Sequence, residues 1–155
     1  MILREKIGSL LDGNVDVIVH QVNCCGAMNS GVAAAIRQKY PFVYTKYKDY
    51  CHGHKYGSLP GKCLFVTVDD GKLVANLFGQ EQYGYDNRRY TNYEAVYQAL
   101  ESVKRHLKNS GKKTIGFPYK MASDRGGADW DVILAMIKSV FKDTEHEVII
   151  YKLQA

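Results

Sequence analysis

Long apolar runs are missing from this 155-residue chain; none approaches the ~20 residues that cross a bilayer. The first residues, MILREKIGSLL, break their apolar stretch with Arg4, Glu5 and Lys6, so the unbroken apolar region of a secretory leader is lacking. The expected compartment is the cytoplasm, with no membrane partner. Cysteine is scarce and irregular. Cys24, Cys25, Cys51 and Cys63 do not form the spaced framework of a small secreted fold, and free thiols are expected. Internal repeats, low-complexity tracts and an interdomain linker are also absent, which leaves one domain over 1–155. What is present is ordinary for a globular protein: 46% hydrophobic and 24% charged residues, with a formal charge of +5 that favours anionic partners.

The hydrophobic pattern alternates between strand and helix. VDVIVHQV (15–22) is rich in β-branched residues and nearly all apolar, as in a strand buried on both faces. A helix starting near Gly31 should stop by Tyr40, because Pro41 disfavours the α conformation before it, and Pro41 suits the first turn of a second helix. KCLFVTV and KLVANLF flank DDG, a hairpin signal with Gly71 in the turn. Thr91 and Glu94 have capping-box spacing before a stripe of Tyr93, Val96, Tyr97, Leu100, Val103 and Leu107, with Gly111 the expected stop. KTIGFP and EVIIYKL read as strands around a helix capped by Asp129. The resulting order, β-β-α-α-β-β-α-β-α-β, predicts a single α/β domain: a mixed central sheet with helices on both faces.

Two segments run from a buried strand through a glycine-bearing loop into an amphipathic helix: VIVH-QVNCCGAMNSG-VAAAI and TIGFP-YKMASDRGGA-DWDVI. Ligands of open α/β sheets bind where strands end in such loops. Glycine admits close backbone approach, and a helix start offers unpaired N–H groups, so both loops suit phosphate. Strand-to-helix turns also require glycine for purely structural reasons.

The stretch HQVNCCGAMNSGVAAAIRQKYP resembles the first ligand loop of macrodomains, the ADP-ribose-binding α/β modules. It is most similar to the branch with the ADP-ribose-1″-phosphate phosphatases, their phage and bacterial relatives, and terminal ADP-ribose glycohydrolases. VANLFGQ, RYTNYEAV and FPYKMASDRGGADWDVI continue the match in order across the chain. The resemblance implies a three-layer α/β/α sandwich with ADP-ribose, ADP-ribose-1″-phosphate or an ADP-ribosylated protein in a cleft at the strand ends. No metal or cofactor is called for, and a monomer is expected. Asn23 would orient the distal ribose and His20 would act as acid/base or phosphate contact. Cys24, Gly26, Met28, Asn29, Ser30, Gly31 and Val32 would line the diphosphate and ribose. Tyr119, Lys120, Ser123, Asp124, Arg125, Gly126 and Gly127 would form the opposing loop.

Departures from the family pattern are equally legible. Ser9 stands where an aspartate usually accepts from the adenine amine, and Asp12 or Asp16 replaces it only if the backbone brings one there. The second loop carries Lys120, Met121, Asp124 and Arg125 where glycines usually expose amides to the diphosphate. Gln80 falls at the essential lysine of the glycohydrolase branch, which removes an amine nucleophile.

Other features have competing readings. His20 is either a hydrogen-bonded core histidine or a proton-transfer group. Cys24 and Cys25 are either packing residues or a thiolate near a helix start. CHGH (51–54) lacks the second ligand pair of a structural zinc site. YGYDNRRYTNY interleaves tyrosines with Arg88 and Arg89. It is read as a flap in which Arg89 reaches a terminal phosphate, as a packed surface loop, or as a single-stranded nucleic-acid surface. A binding module without turnover is the main alternative to a hydrolase.

Overall fold

The computed structural model describes residues 1–154. Its elements follow the expected order: β1 (Ile2–Ile7), β2 (Val17–Val22), α1 (Gly31–Lys39), α2 (Pro41–His52), β3 (Cys63–Thr67), β4 (Leu73–Phe78), α3 (Tyr93–Leu107), β5 (Thr114–Pro118), α4 (Trp130–Phe141) and β6 (Glu147–Lys152). A 3₁₀ turn, Leu10–Asp12, follows β1. The six strands form one sheet in the order β1-β6-β5-β2-β4-β3. Every neighbouring pair is parallel except β3–β4. Five strand ends therefore point the same way.

Strand alternation explains the two cores. On β2, Val17 and Val19 join the cluster formed with α3 and α4, while Ile18 and Val22 join the one formed with α1 and α2. All four are buried, which is why the strand shows no apolar–polar alternation. The α3 stripe buries Val96, Leu100, Val103 and Leu107, and α4 buries Ile133, Ile137, Val140 and Phe141. Burying a side chain of this size contributes roughly 1.5–3 kcal/mol.

Local punctuation is mostly as read. Pro41 opens α2, and Gly71 turns the β3–β4 hairpin at φ +87°. Asp129 caps α4 by accepting from the Asp131 amide at 2.9 Å. Two expectations need correction. Asn92, not Thr91, caps α3, accepting from the Ala95 amide at 3.1 Å; Thr91 is buried and bridges two loops instead. Helix α3 also ends at Leu107, ahead of Gly111, with Asn109 taking the first left-handed conformation at φ +60°.

Candidate functional site

Because the parallel strands end together, their C-terminal loops enclose a cleft of about 570 Å³. Its wall includes His20–Asn23 after β2, Gln80 after β4, Pro118–Ala122 after β5, Lys152 and Leu153 after β6, and Gly8–Leu11 after β1. The two loops predicted to face each other do so. Asn29 and Ser30–Val32 line one side, and Tyr119, Lys120, Asp124, Arg125 and Gly126 line the other.

The first loop is folded around Asn23. Its side-chain oxygen lies 2.9 Å from the Cys25 amide, 3.4 Å from the Ala27 amide and 2.8 Å from the Tyr47 hydroxyl. Its amide nitrogen donates to the Ala27 carbonyl at 3.0 Å. Gly26 makes the reversal at φ +77°. The loop then enters α1, whose first N–H groups have no intrahelical partner and face an anion favourably.

The second loop differs from a glycine-rich one in being tied down by side chains. Lys120 and Ala122 take left-handed backbone, at φ +60° and +68°, which costs roughly 1–2 kcal/mol at each non-glycine residue. The Ala122 carbonyl accepts from Thr91 Oγ1 at 3.0 Å and from the Ala128 amide at 3.0 Å, which offsets that cost. Met121 sinks into the α3/α4 core and does not fill the groove. The charged residues of the wall are Lys120, Arg125 and Lys152 against Asp124 alone, a balance that suits an anionic ligand. Arg125 lies over the Tyr85 ring at 4.3 Å, and Lys152 over Tyr119 at 4.5 Å.

At the cleft floor, His20 pairs in register with Asn76 on β4, its Nε2 2.6 Å from Asn76 Oδ1. Burial holds the imidazole pKa down at about 4, so the ring is neutral near pH 7. Gln21, on the opposite sheet face, donates to Gln80 Oε1 at 2.6 Å and to Thr91 Oγ1 at 2.9 Å. Gln80 in turn donates to the Gln82 carbonyl at 2.8 Å. The amide of Gln80 is thus fixed at both ends, in the wall of the cleft.

Several predicted site residues lie elsewhere. Cys24 faces a separate small cavity with Cys51 and His54, and burial pushes its thiol up to about 12, against a thiolate role. Cys25 is raised for the same reason. Met28 is buried in the α1/α2 core and Gly26 turns away toward Lys48. Ser123 folds back onto the Met121 carbonyl, and Gly127 packs against the backbone of Arg88 and Arg89. Arg89 lies over the Tyr93 ring, outside the cleft wall, while Arg88 pairs with Tyr90. The aromatic part of that flap does border the cleft, through Tyr83 and Tyr85. Ser9 lines the wall, but Asp12 pairs with Lys39 and Asp16 binds the Lys113 and Thr114 amides at the far end of the sheet. His54 is held by the Tyr50 carbonyl at 2.7 Å, and among the described residues no group of three His, Cys, Asp or Glu gathers as a metal site.

Residues not foreseen include Gln21, Tyr151, Lys152 and Leu153. For the last three the signal was positional: a last strand parallel to β5 must end at the same rim, but only the strand order reveals that neighbour.

Helices on both faces of a mixed sheet, with paired loops over the parallel strand ends, define a three-layer α/β/α sandwich with a cleft at its rim. Residues 19–137 match the Macro domain family, and the chain belongs to that family. It is 25% identical over 140 residues to a DNA ADP-ribosyl glycohydrolase of Mycobacterium tuberculosis, covering 87% of this chain and 37% of that protein. It is 32% identical over 79 residues to an ADP-ribose 1″-phosphate phosphatase of Aspergillus clavatus, covering 48% of this chain and 37% of that one. The chain thus spans little more than a third of these relatives. In structure, it is similar to the macrodomain of Mycobacterium tuberculosis DarG, with a TM-score of 0.83 over 97% of both chains at 22% identity. Thermosipho africanus DarTG in complex with ADP-ribose aligns with a TM-score of 0.76 over 93% of this chain and 39% of that one, at 17% identity.

Proposed function

We propose that this macrodomain binds ADP-ribose, free or carried by another molecule, and hydrolyses a bond to its distal ribose. The observation that carries the reading is the cleft itself, which joins the α1 amides, three cationic side chains and a polar floor of His20, Gln21 and Gln80. The relatives named as hydrolases of ADP-ribosyl bonds and of ADP-ribose 1″-phosphate support the substrate class. In this reading the diphosphate lies between Ser30–Val32 and the 120–126 loop, and the distal ribose lies over the floor. Water is the nucleophile. Gln80 offers only an amide, so no covalent amine intermediate forms there.

A second reading, an ADP-ribosyl binder without turnover, is favoured by one observation: His20 is neutral and its resting basicity is low. Titration calorimetry with ADP-ribose, AMP and ribose-5-phosphate tests the shared claim, which fails if ADP-ribose binds no better than AMP. Incubation with ADP-ribosylated DNA, ADP-ribosylated protein and ADP-ribose 1″-phosphate, followed by product release, then separates hydrolase from binder. Release no faster than in a protein-free control leaves the binder.

A further inference from the structure

The hydrogen bonding around Asn76 determines what His20 can recognise. Asn76 is fully buried, and its Nδ2 donates to the Leu64 carbonyl at 2.9 Å. A carbonyl can only accept, so the side-chain oxygen of Asn76 must be the atom that faces His20 at 2.6 Å. That oxygen accepts, and His20 Nε2 therefore carries the proton. The tautomer follows: Nδ1 is a bare lone pair. This atom is buried and has no partner in the protein, in a residue that forms part of the cleft floor. A buried acceptor left without a donor is costly, and a ligand that supplies one recovers that cost.

We infer that His20 Nδ1 is a built acceptor for a hydroxyl group of the distal ribose, with Asn76 as the positioning residue that fixes the tautomer. A hydroxyl can donate to this lone pair; a fully ionised phosphate oxygen cannot, and is repelled by it. The site thereby selects an ADP-ribose whose distal ribose presents a free hydroxyl at this point over one bearing a phosphate there. This rests on the proposed ADP-ribose reading and narrows it toward ribosyl substrates rather than the terminal phosphate ester.

The test uses the full chain with ¹⁵N-labelled histidine. In the free protein near neutral pH, His20 should show a protonated Nε2 and an unprotonated Nδ1, and the Nδ1 resonance should move upfield when ADP-ribose binds. A proton on Nδ1, or a bound-state Nδ1 signal that does not move, overturns the inference while leaving ADP-ribose binding intact. No binding at all overturns the broader reading instead. In parallel, ADP-ribose should bind at least roughly tenfold more tightly than ADP-ribose 1″-phosphate; equal or reversed affinities sink the selectivity. Asn76→Asp keeps the acceptor and adds a charge that favours imidazolium, so the affinity ratio should shrink toward one. An unchanged ratio in folded Asn76→Asp counts against Asn76 as the positioning residue. The measurements on the unmodified chain stand whether or not that variant folds.

Discussion

Gly127→Ala isolates what the second loop requires of its backbone. Gly127 has φ +70°, and a Cβ there would stand 2.9 Å from both the Arg88 carbonyl oxygen and the Arg89 Cα. Both neighbours are main chain and cannot rotate away. The left-handed conformation costs an alanine roughly 1–2 kcal/mol, and forcing a methyl group against packed atoms adds roughly 1–3 kcal/mol. The expected loss is therefore roughly 2–5 kcal/mol. Gly71→Ala is the matched control: φ is +87°, but nothing lies within 4 Å of the added carbon, so only the conformational part applies. Urea unfolding followed by the fluorescence of Trp130, the single tryptophan, measures both. If the two variants agree within about 0.5 kcal/mol, the steric part of this account is wrong. Because Gly127 lies outside the cleft wall, any loss of ADP-ribose affinity in the variant reports the displaced 119–126 loop, and the flap that Arg88 and Arg89 anchor.

Arg125→Ala should weaken ADP-ribose binding by roughly tenfold or more, since a charge-assisted contact is worth roughly 1.5–3 kcal/mol; Arg88→Ala and Arg89→Ala, outside the wall, should each change it by less than about twofold in calorimetry. Stability should fall with acid as His20 is forced to charge. Its folded pKa of about 4 lies below the unfolded 6.5, so its contribution is full above pH 6.5 and is lost as the pH falls to about 4. That loss amounts to about 3 kcal/mol, with His146 adding in the same direction. Denaturation midpoints across that window should flatten in His20→Gln; the same slope in both proteins refutes the assignment. Asp16→Ala, which removes the acceptor of the Lys113 and Thr114 amides at 2.7 and 3.1 Å, should destabilise the chain by about 2 kcal/mol without altering ligand affinity.

The order of strands and helices was legible in the chain because periodicity is local: β-branched runs such as 15–22 and the three-and-four spacing of α3 report burial within a few residues. So were the two loops, whose glycines and helix starts lie beside their strands in sequence. Tertiary structure decided the rest. The parallel order β1-β6-β5-β2-β4 brought Lys152 and Leu153 to the same rim as Asn23, residues far apart in the chain. Side-chain direction within a loop, which sent Met28 into one core, Met121 into another and Cys24 to the rear, depends on packing space that no local pattern records. The state of His20 belongs to the same class, because its proton is placed by Asn76, and Asn76 by a carbonyl on a third strand. Hydrogen bonds between strands are set by register, and register exists only once the sheet has formed.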